Sequence, residues 1–157
     1  MSDYREEKAR AARQCTQNLR ELMLGYKALL EDALREEGLS LPQLRLLKAI
    51  HEHGGVSGAT IARNCQVTPQ TLQAMLARAI REKWVVREPS ERNHRILTPS
   101  LTGKGRRLLE RGLAAAADVE AAIWMGVSVS DIDVMNTIIG RGLANLHQEL
   151  EREHTVA

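Results

Sequence analysis

Four prolines, at positions 42, 69, 89 and 99, divide a 157-residue chain whose two ends contain none. Proline removes a backbone donor and breaks helix interiors. Residues 1–41 and 100–157 are therefore free to form long helices, while the middle must be assembled from shorter pieces. Phe is absent and aromatic residues make up 3% of the chain, which argues against a β-rich fold, since strands favour aromatic and β-branched side chains. No run approaches the roughly 18 apolar residues of a membrane span. The opening MSDYREEKARAARQC is charged and lacks the apolar segment of a secretory signal. Two cysteines do not make a disulfide framework. A mainly helical, cytoplasmic protein of one domain is the expectation.

Hydrophobic spacing fills in the elements. Leu19, Leu22, Met23, Tyr26, Leu29, Leu30 and Ala33 recur at three and four residues and predict a helix over 9–36, stopped at Glu37-Gly38. Ser40 ahead of Leu41-Pro42 reads as a cap with proline in the first turn, opening a helix over 41–53 that Gly54-Gly55 ends. Ser57 caps a short helix to about Cys65, with Ile61 and Ala62 inward. Thr68-Pro69 repeats the cap-plus-proline pattern for a helix to about Lys83, with Leu72, Leu76, Ala79 and Ile80 on one face. Trp84-Val85-Val86-Arg87 is strand-prone, Pro89 to Asn93 turn-like, and Arg95 to Leu101 extended again. Two short strands about a polar loop make a hairpin. Thr102 caps a helix over 103–125, which Gly126 ends. Ser130-Asp131 opens the last, over 131–152, where Ile132, Met135, Ile139, Leu143, Leu146 and Leu150 form a helix–helix seam. The organisation expected is a long N-terminal helix (1–38), a central lobe (39–101) and C-terminal helices (102–157).

The formal net charge of +2 conceals an uneven distribution. Residues 61–107 hold ten basic side chains against three acidic ones, a net +7, and the remainder holds twelve against seventeen, a net −5. A basic block on a compact unit suits a polyanion, although composition alone leaves open a merely solvated helix surface. The order short helix, tight turn at Gln66-Val67, longer helix, hairpin is that of a winged helix-turn-helix, whose second helix can enter the major groove. On that helix Gln70, Ala74, Ala77 and Arg81 face away from the apolar side, flanked by Thr71, Gln73 and Arg78. Glutamine can bridge the major-groove edge of adenine, and small residues permit close approach. Thr71, Gln70, Gln73 and Ala74 are expected to read bases. Arg78, Arg81 and Arg92 are expected to hold phosphates, which position a protein without specifying sequence. Thr68, at the helix start, and His94, at the hairpin tip, complete the expected contact set.

Residues 56–105 resemble the MarR family of bacterial transcription regulators. The resemblance rests on Ile61-Ala62 in the short helix, the helix from Thr68, the wing tip Asn93-His94-Arg95 and the run Leu101-Thr102-Gly103-Lys104-Gly105. Leu39-Ser40-Leu41-Pro42-Gln43 is similar to the start of the family's second helix. The resemblance implies a homodimer on a pseudo-palindromic operator with half-sites about one DNA turn apart. It implies Arg95 in the minor groove. It also implies control by a small aromatic acid or phenol, bound in a crevice between the dimer region and the DNA-binding lobe. Two positions depart from the family pattern. Asn93 replaces the wing aspartate, and Trp84 stands where the family has glycine after the recognition helix. A bulky residue suits a left-handed backbone poorly, so the helix is expected to leave by a different turn, with Trp84 packed as a core plug.

Effector and sensor residues are harder to derive. Arg20, Met23, Arg45, His51 and Trp124 supply the polar and apolar chemistry that an organic-acid pocket needs, and each also has an ordinary packing or surface role open to it. Cys15 is the candidate for an alternative function, a thiol-based peroxide sensor, against the simpler reading of an inert thiol; that role would need a lowered thiol pKa. Cys65 reads as packing. His51 and His53 point about 200° apart on a helix and cannot share one metal ion from it. No histidine cluster has zinc-ligand spacing. No nucleophile–base pair, phosphate-cradling loop or acid pair is visible. Neither enzymatic activity nor a metal or other cofactor is expected.

Overall fold

The computed structural model describes residues 2–53, 58–65, 67–89 and 97–156, the side chains of 2 and 154–156 excepted. Among the described residues six helices and one hairpin follow in order: α1 (Ser2–Glu36), α2 (Leu41–Glu52), α3 (Gly58–Cys65), α4 (Pro69–Arg81), β1 (Val85–Pro89), β2 (Leu97–Leu101), α5 (Gly103–Ile123) and α6 (Val129–Val156). The fold is mainly helical with a two-stranded antiparallel wing, as the sequence predicts. Among the described residues no helix is long and apolar enough to cross a membrane.

Local chemistry accounts for most boundaries. α1 closes on Gly38, whose φ of +73° only glycine adopts without cost. There the Leu39 N–H donates to the Leu34 carbonyl at 2.8 Å and the Gly38 N–H to Arg35 at 3.0 Å, the paired bonds that satisfy a helix's last carbonyls. At the start of α2 the Ser40 N–H donates to Gln43 Oε1 at 2.8 Å. Thr68 caps α4, accepting the Thr71 N–H at 3.2 Å, and Pro69 supplies the pre-set first turn. α1 begins well before the predicted start at residue 9, because the charged segment ahead of it has good helix formers but no apolar repeat. β1 extends through Pro89, expected in the turn, and pairs it with Leu97 in a register running back to Val85 opposite Leu101. As the terminal residue of its strand, Pro89 removes no interior ladder bond.

Two compact units are present, Met1–Ile123 and Trp124–Ala157. The core of the first is aliphatic, with Leu34, Leu46, Leu47, Ile61, Leu72 and Val85 fully buried. It joins the C-terminal end of α1 to α2, α3, α4, the hairpin base and the first half of α5. Much of the predicted apolar stripe of α1 stays outside this core: Leu30 is buried, whereas Met23 and Leu29 are more than half exposed. Ile80, expected inward, is also exposed, because α4 ends just beyond it. In the second unit, the seam of α6 is half-buried at Ile132, Met135 and Ile139 and exposed at Leu143, Leu146 and Leu150.

Candidate nucleic-acid interface and ligand cavity

α4 is amphipathic in the way groove entry requires. Leu72, Leu76 and Ala79 are buried, and Thr68, Gln70, Thr71, Gln73, Ala74, Arg78 and Arg81 are all exposed. Among the described residues Arg78 and Arg81 have no ion-pair partner, so neither guanidinium is committed to a neighbouring carboxylate. Arg63 on α3 and Arg87 on β1 are exposed as well. The wing-tip residues Arg92, Asn93, His94 and Arg95 lie outside the described residues.

The exit of α4 is held by a cluster of hydrogen bonds. Lys83 turns left-handed at φ +59°. The Trp84 N–H then reaches the Ala79 carbonyl at 2.9 Å and the Lys83 N–H reaches Ile80 at 3.0 Å, the same closure that Gly38 makes for α1. The left-handed position thus moves one residue ahead of Trp84, which packs into the core at 8% exposure. This is the different turn that the missing glycine implied. Thr102 fastens the other side. Its N–H donates to the Trp84 carbonyl at 2.9 Å, and its hydroxyl lies 2.8 Å from the Lys83 carbonyl and 3.1 Å from that of Trp84. The same hydroxyl accepts the Gly105 N–H at 3.0 Å and so caps α5. Lys104 Nζ donates to the Glu82 carbonyl at 3.0 Å. A Cβ on Gly105 would run into the Trp84 carbonyl oxygen, which explains the glycine at this position. The sequence signals this knot only as the short run from Leu101 to Gly105, without revealing what it ties.

A cavity of about 710 Å³ opens between α1, α2 and α5. Its walls are largely apolar, with Met23, Leu24, Leu30, Leu41, Pro42, Leu44, Leu113 and Ala116, and it carries four cations, Arg20, Lys27, Arg45 and Lys48, against Glu31 and Glu120. Lys27 pairs with Glu31 at 3.8 Å and Lys48 with Glu52 at 3.7 Å. Among the described residues Arg20 and Arg45 have no ion-pair partner. The Tyr26 hydroxyl donates to Glu120 Oε1 at 3.2 Å, joining α1 to α5 across the space. Burial and the charge of Glu120 raise the Tyr26 pKa, with Arg45 acting in the opposite sense, so the phenol stays a donor. Of the residues expected at a pocket, Arg20, Met23 and Arg45 come together here. His51 is exposed on α2 and lies off this wall, and Trp124 belongs to the second unit. Tyr26, Lys48 and Glu120 were missed; their convergence from three helices leaves no mark in one dimension.

The cysteines differ in environment. Cys15 is exposed on α1 and Cys65 is buried at the end of α3. Burial raises the Cys65 thiol pKa, opposed in part by the positive charge of Arg45. A thiol held protonated is a poor nucleophile, consistent with a packing role.

The MarR family model matches residues 37–96. The HTH-type transcriptional repressor Rv2887 of Mycobacterium tuberculosis (strain ATCC 25618 / H37Rv) is 33% identical over 91 residues, which is 58% of this chain and 66% of the repressor. The match therefore spans just under two thirds of that relative's length. Among solved structures, the MarR family transcription regulator SP03579 superposes with a TM-score of 0.77 at 19% identity, covering 91% of this chain and 97% of that one. Rv2887 in complex with DNA gives a TM-score of 0.65 at 22% identity over 80% and 94% of the two chains. In complex with salicylic acid it gives 0.64 at 25% identity over 78% and 91%. The winged helix-turn-helix fold is shared throughout.

Proposed function

We propose that this chain is a regulator of the MarR family, whose model matches residues 37–96, and that it is a dimeric, sequence-specific DNA-binding protein. It acts as a repressor, released when a small aromatic acid or phenol enters the cavity between α1, α2 and α5. The observation that carries the reading is the exposed face of α4, where the Gln70 and Gln73 amides share one surface with guanidinium groups that have no ion-pair partner among the described residues, over a buried aliphatic side. The likeness to Rv2887, solved with DNA and with salicylic acid, supports both halves. Gln70 and Gln73 read adenine edges, with Thr71 and Ala74 close to the base methyls. Arg78 and Arg81 hold phosphates, and Thr68 lies at the helix end that enters the groove. At the wing, Arg92 holds phosphate, Arg95 enters the minor groove and His94 adds a further DNA contact. Arg20 and Arg45 receive the effector's carboxylate beside the wall of Met23.

Fluorescence anisotropy on an operator selected from a random DNA pool tests this. Arg78→Ala should weaken binding to all sequences alike and flatten the log–log salt slope by about one unit. Gln70→Ala should cost about 1–3 kcal/mol at the selected site and relax the preference at one base pair. Arg95→Ala should weaken operator binding and leave the dimer intact. A salt-independent affinity, or no preference over random DNA, would refute the assignment.

A further inference from the structure

A smaller, open depression of about 290 Å³ lies further along the same face of α2, lined by Arg45, Lys48, Ala49, Glu52, His53 and Asn64, all exposed but Ala49. It shares Arg45 and Lys48 with the 710 Å³ cavity. The two spaces therefore meet at a cationic ridge on one helix. Arg45, Lys48, Ala49 and Glu52 follow the three–four spacing of a single helical face, about 10 Å long at the α-helical rise. The chambers differ in character. The first is walled mainly by leucines, Met23 and Pro42; the second offers an imidazole, an amide and the two ridge cations against one acid. Glu52 Oε1 sits 3.7 Å from Lys48 Nζ in an exposed pair, so the ridge keeps a net positive charge centred on Arg45. Arg45 has no ion-pair partner among the described residues. Its charge is felt on both sides of the ridge, at Tyr26 in the first chamber and at Cys65, the neighbour of Asn64. The first chamber is also roomy for a lone aromatic ring: it falls within the roughly 300–1,000 Å³ that hold drug-sized ligands.

Building on the effector cavity proposed above, we propose that the preferred ligand is a two-part molecule. Its apolar body occupies the larger chamber, and a tail carrying a further carboxylate or phosphate crosses Arg45 and Lys48 to reach His53 and Asn64. The chemistry recognised is an amphiphile with its acidic group several bonds from the ring, rather than a ring with the acid attached directly. The tail gains charge-assisted hydrogen bonds that a simple aromatic acid cannot reach.

Isothermal titration of the full chain with phenylacetate and with N-phenylacetyl-L-glutamate compares the same body with and without an acidic tail; free L-glutamate serves as the control. The tailed compound should bind at least tenfold more tightly than phenylacetate, and glutamate alone only weakly. His53→Ala and Asn64→Ala both alter exposed side chains, and thermal melts of the free proteins check that each folds as the parent does. Each should erase most of the tenfold advantage and leave phenylacetate affinity unchanged. Equal affinity for the two compounds, or variants that weaken both alike, would overturn the second chamber while leaving the first standing. Failure of both compounds to bind would overturn the effector cavity itself, and this proposal with it.

Discussion

At Lys83 the backbone enters the left-handed region at φ +59°, and a lysine rather than a glycine does so. For an L-residue with a Cβ that conformation costs roughly 1–2 kcal/mol, offset here by the two closing bonds to Ala79 and Ile80 and by burial of the Trp84 ring. Because the Lys83 side chain is exposed, Lys83→Gly removes the strain and loses no buried contact. It should raise the urea midpoint by an amount equivalent to about 0.5–1 kcal/mol, after the extra chain entropy of glycine is subtracted, with an unchanged m-value. A lower midpoint would show that the turn is held by the lysine itself. The position was half legible in the sequence. Trp84 could be seen to be wrong for a left-handed turn and right for a core, whereas the residue that would take over the turn depended on the Thr102 bonds, made across 18 and 19 positions of sequence.

Among the elements, those with chemical punctuation were read closely. Ser40-Leu41-Pro42 and Thr68-Pro69 mark helix starts that the structure reproduces, because a cap and a proline act over four residues and need no tertiary partner. Pro89 and the first turns of α1 were misplaced for the opposite reason. A strand's end is set by its partner across the hairpin, and a charged helix with no apolar stripe gives no periodic signal. The joint between α4 and α5 is also an element-scale feature, and it makes a sharp prediction. Gly105→Ala forces a methyl group against the Trp84 carbonyl, a backbone atom already engaged by Thr102. Overpacking of this kind costs about 1–3 kcal/mol, and the fixed neighbour puts this case at the upper end. The midpoint of thermal unfolding should fall accordingly. Gly103→Ala, whose added Cβ would meet only the flexible Arg107 side chain at 3.6 Å, is the matched control and should be close to neutral.

For the molecule as a whole, the charge division was visible from the first count and the cavity was not. Ten basic residues against three in 61–107 is a property of the chain as written, and the eight of those basic residues that the structure describes are all exposed. The cavity exists because Arg20, Arg45 and Glu120 come from three helices 25 and 75 positions apart, and no spacing rule reaches that far. The exposed apolar residues carry a further expectation. Met23, Leu24 and Leu29 on α1 are 52–60% exposed, and Val134, Ile138, Leu143 and Leu146 on α6 are 50–60% exposed. Apolar faces of this extent on two long helices suit a second copy of the chain. If dimerisation and folding are coupled, a tenfold rise in protein concentration should add about 1.4 kcal/mol to the apparent stability, seen as a rising melting temperature. Leu146→Lys should abolish both that dependence and operator binding, and a concentration-independent melt with full DNA affinity would contradict the dimer.

The knot at Thr102 also bears on how such a protein can change over generations. Both feet of the hairpin are anchored, one through Trp84 and the other through Thr102, so the fastening of the helix exit rests on the strand bases and not on the sequence between Pro89 and Leu97. Chain closure becomes only about 0.6 kcal/mol harder with each doubling of loop length. The wing tip can therefore be lengthened, shortened or rewritten in descendants of this sequence without loosening the helix beside it, whereas Thr102 and Gly105 leave almost no room for drift. New binding preferences can accumulate at one end of the hairpin while the other stays frozen.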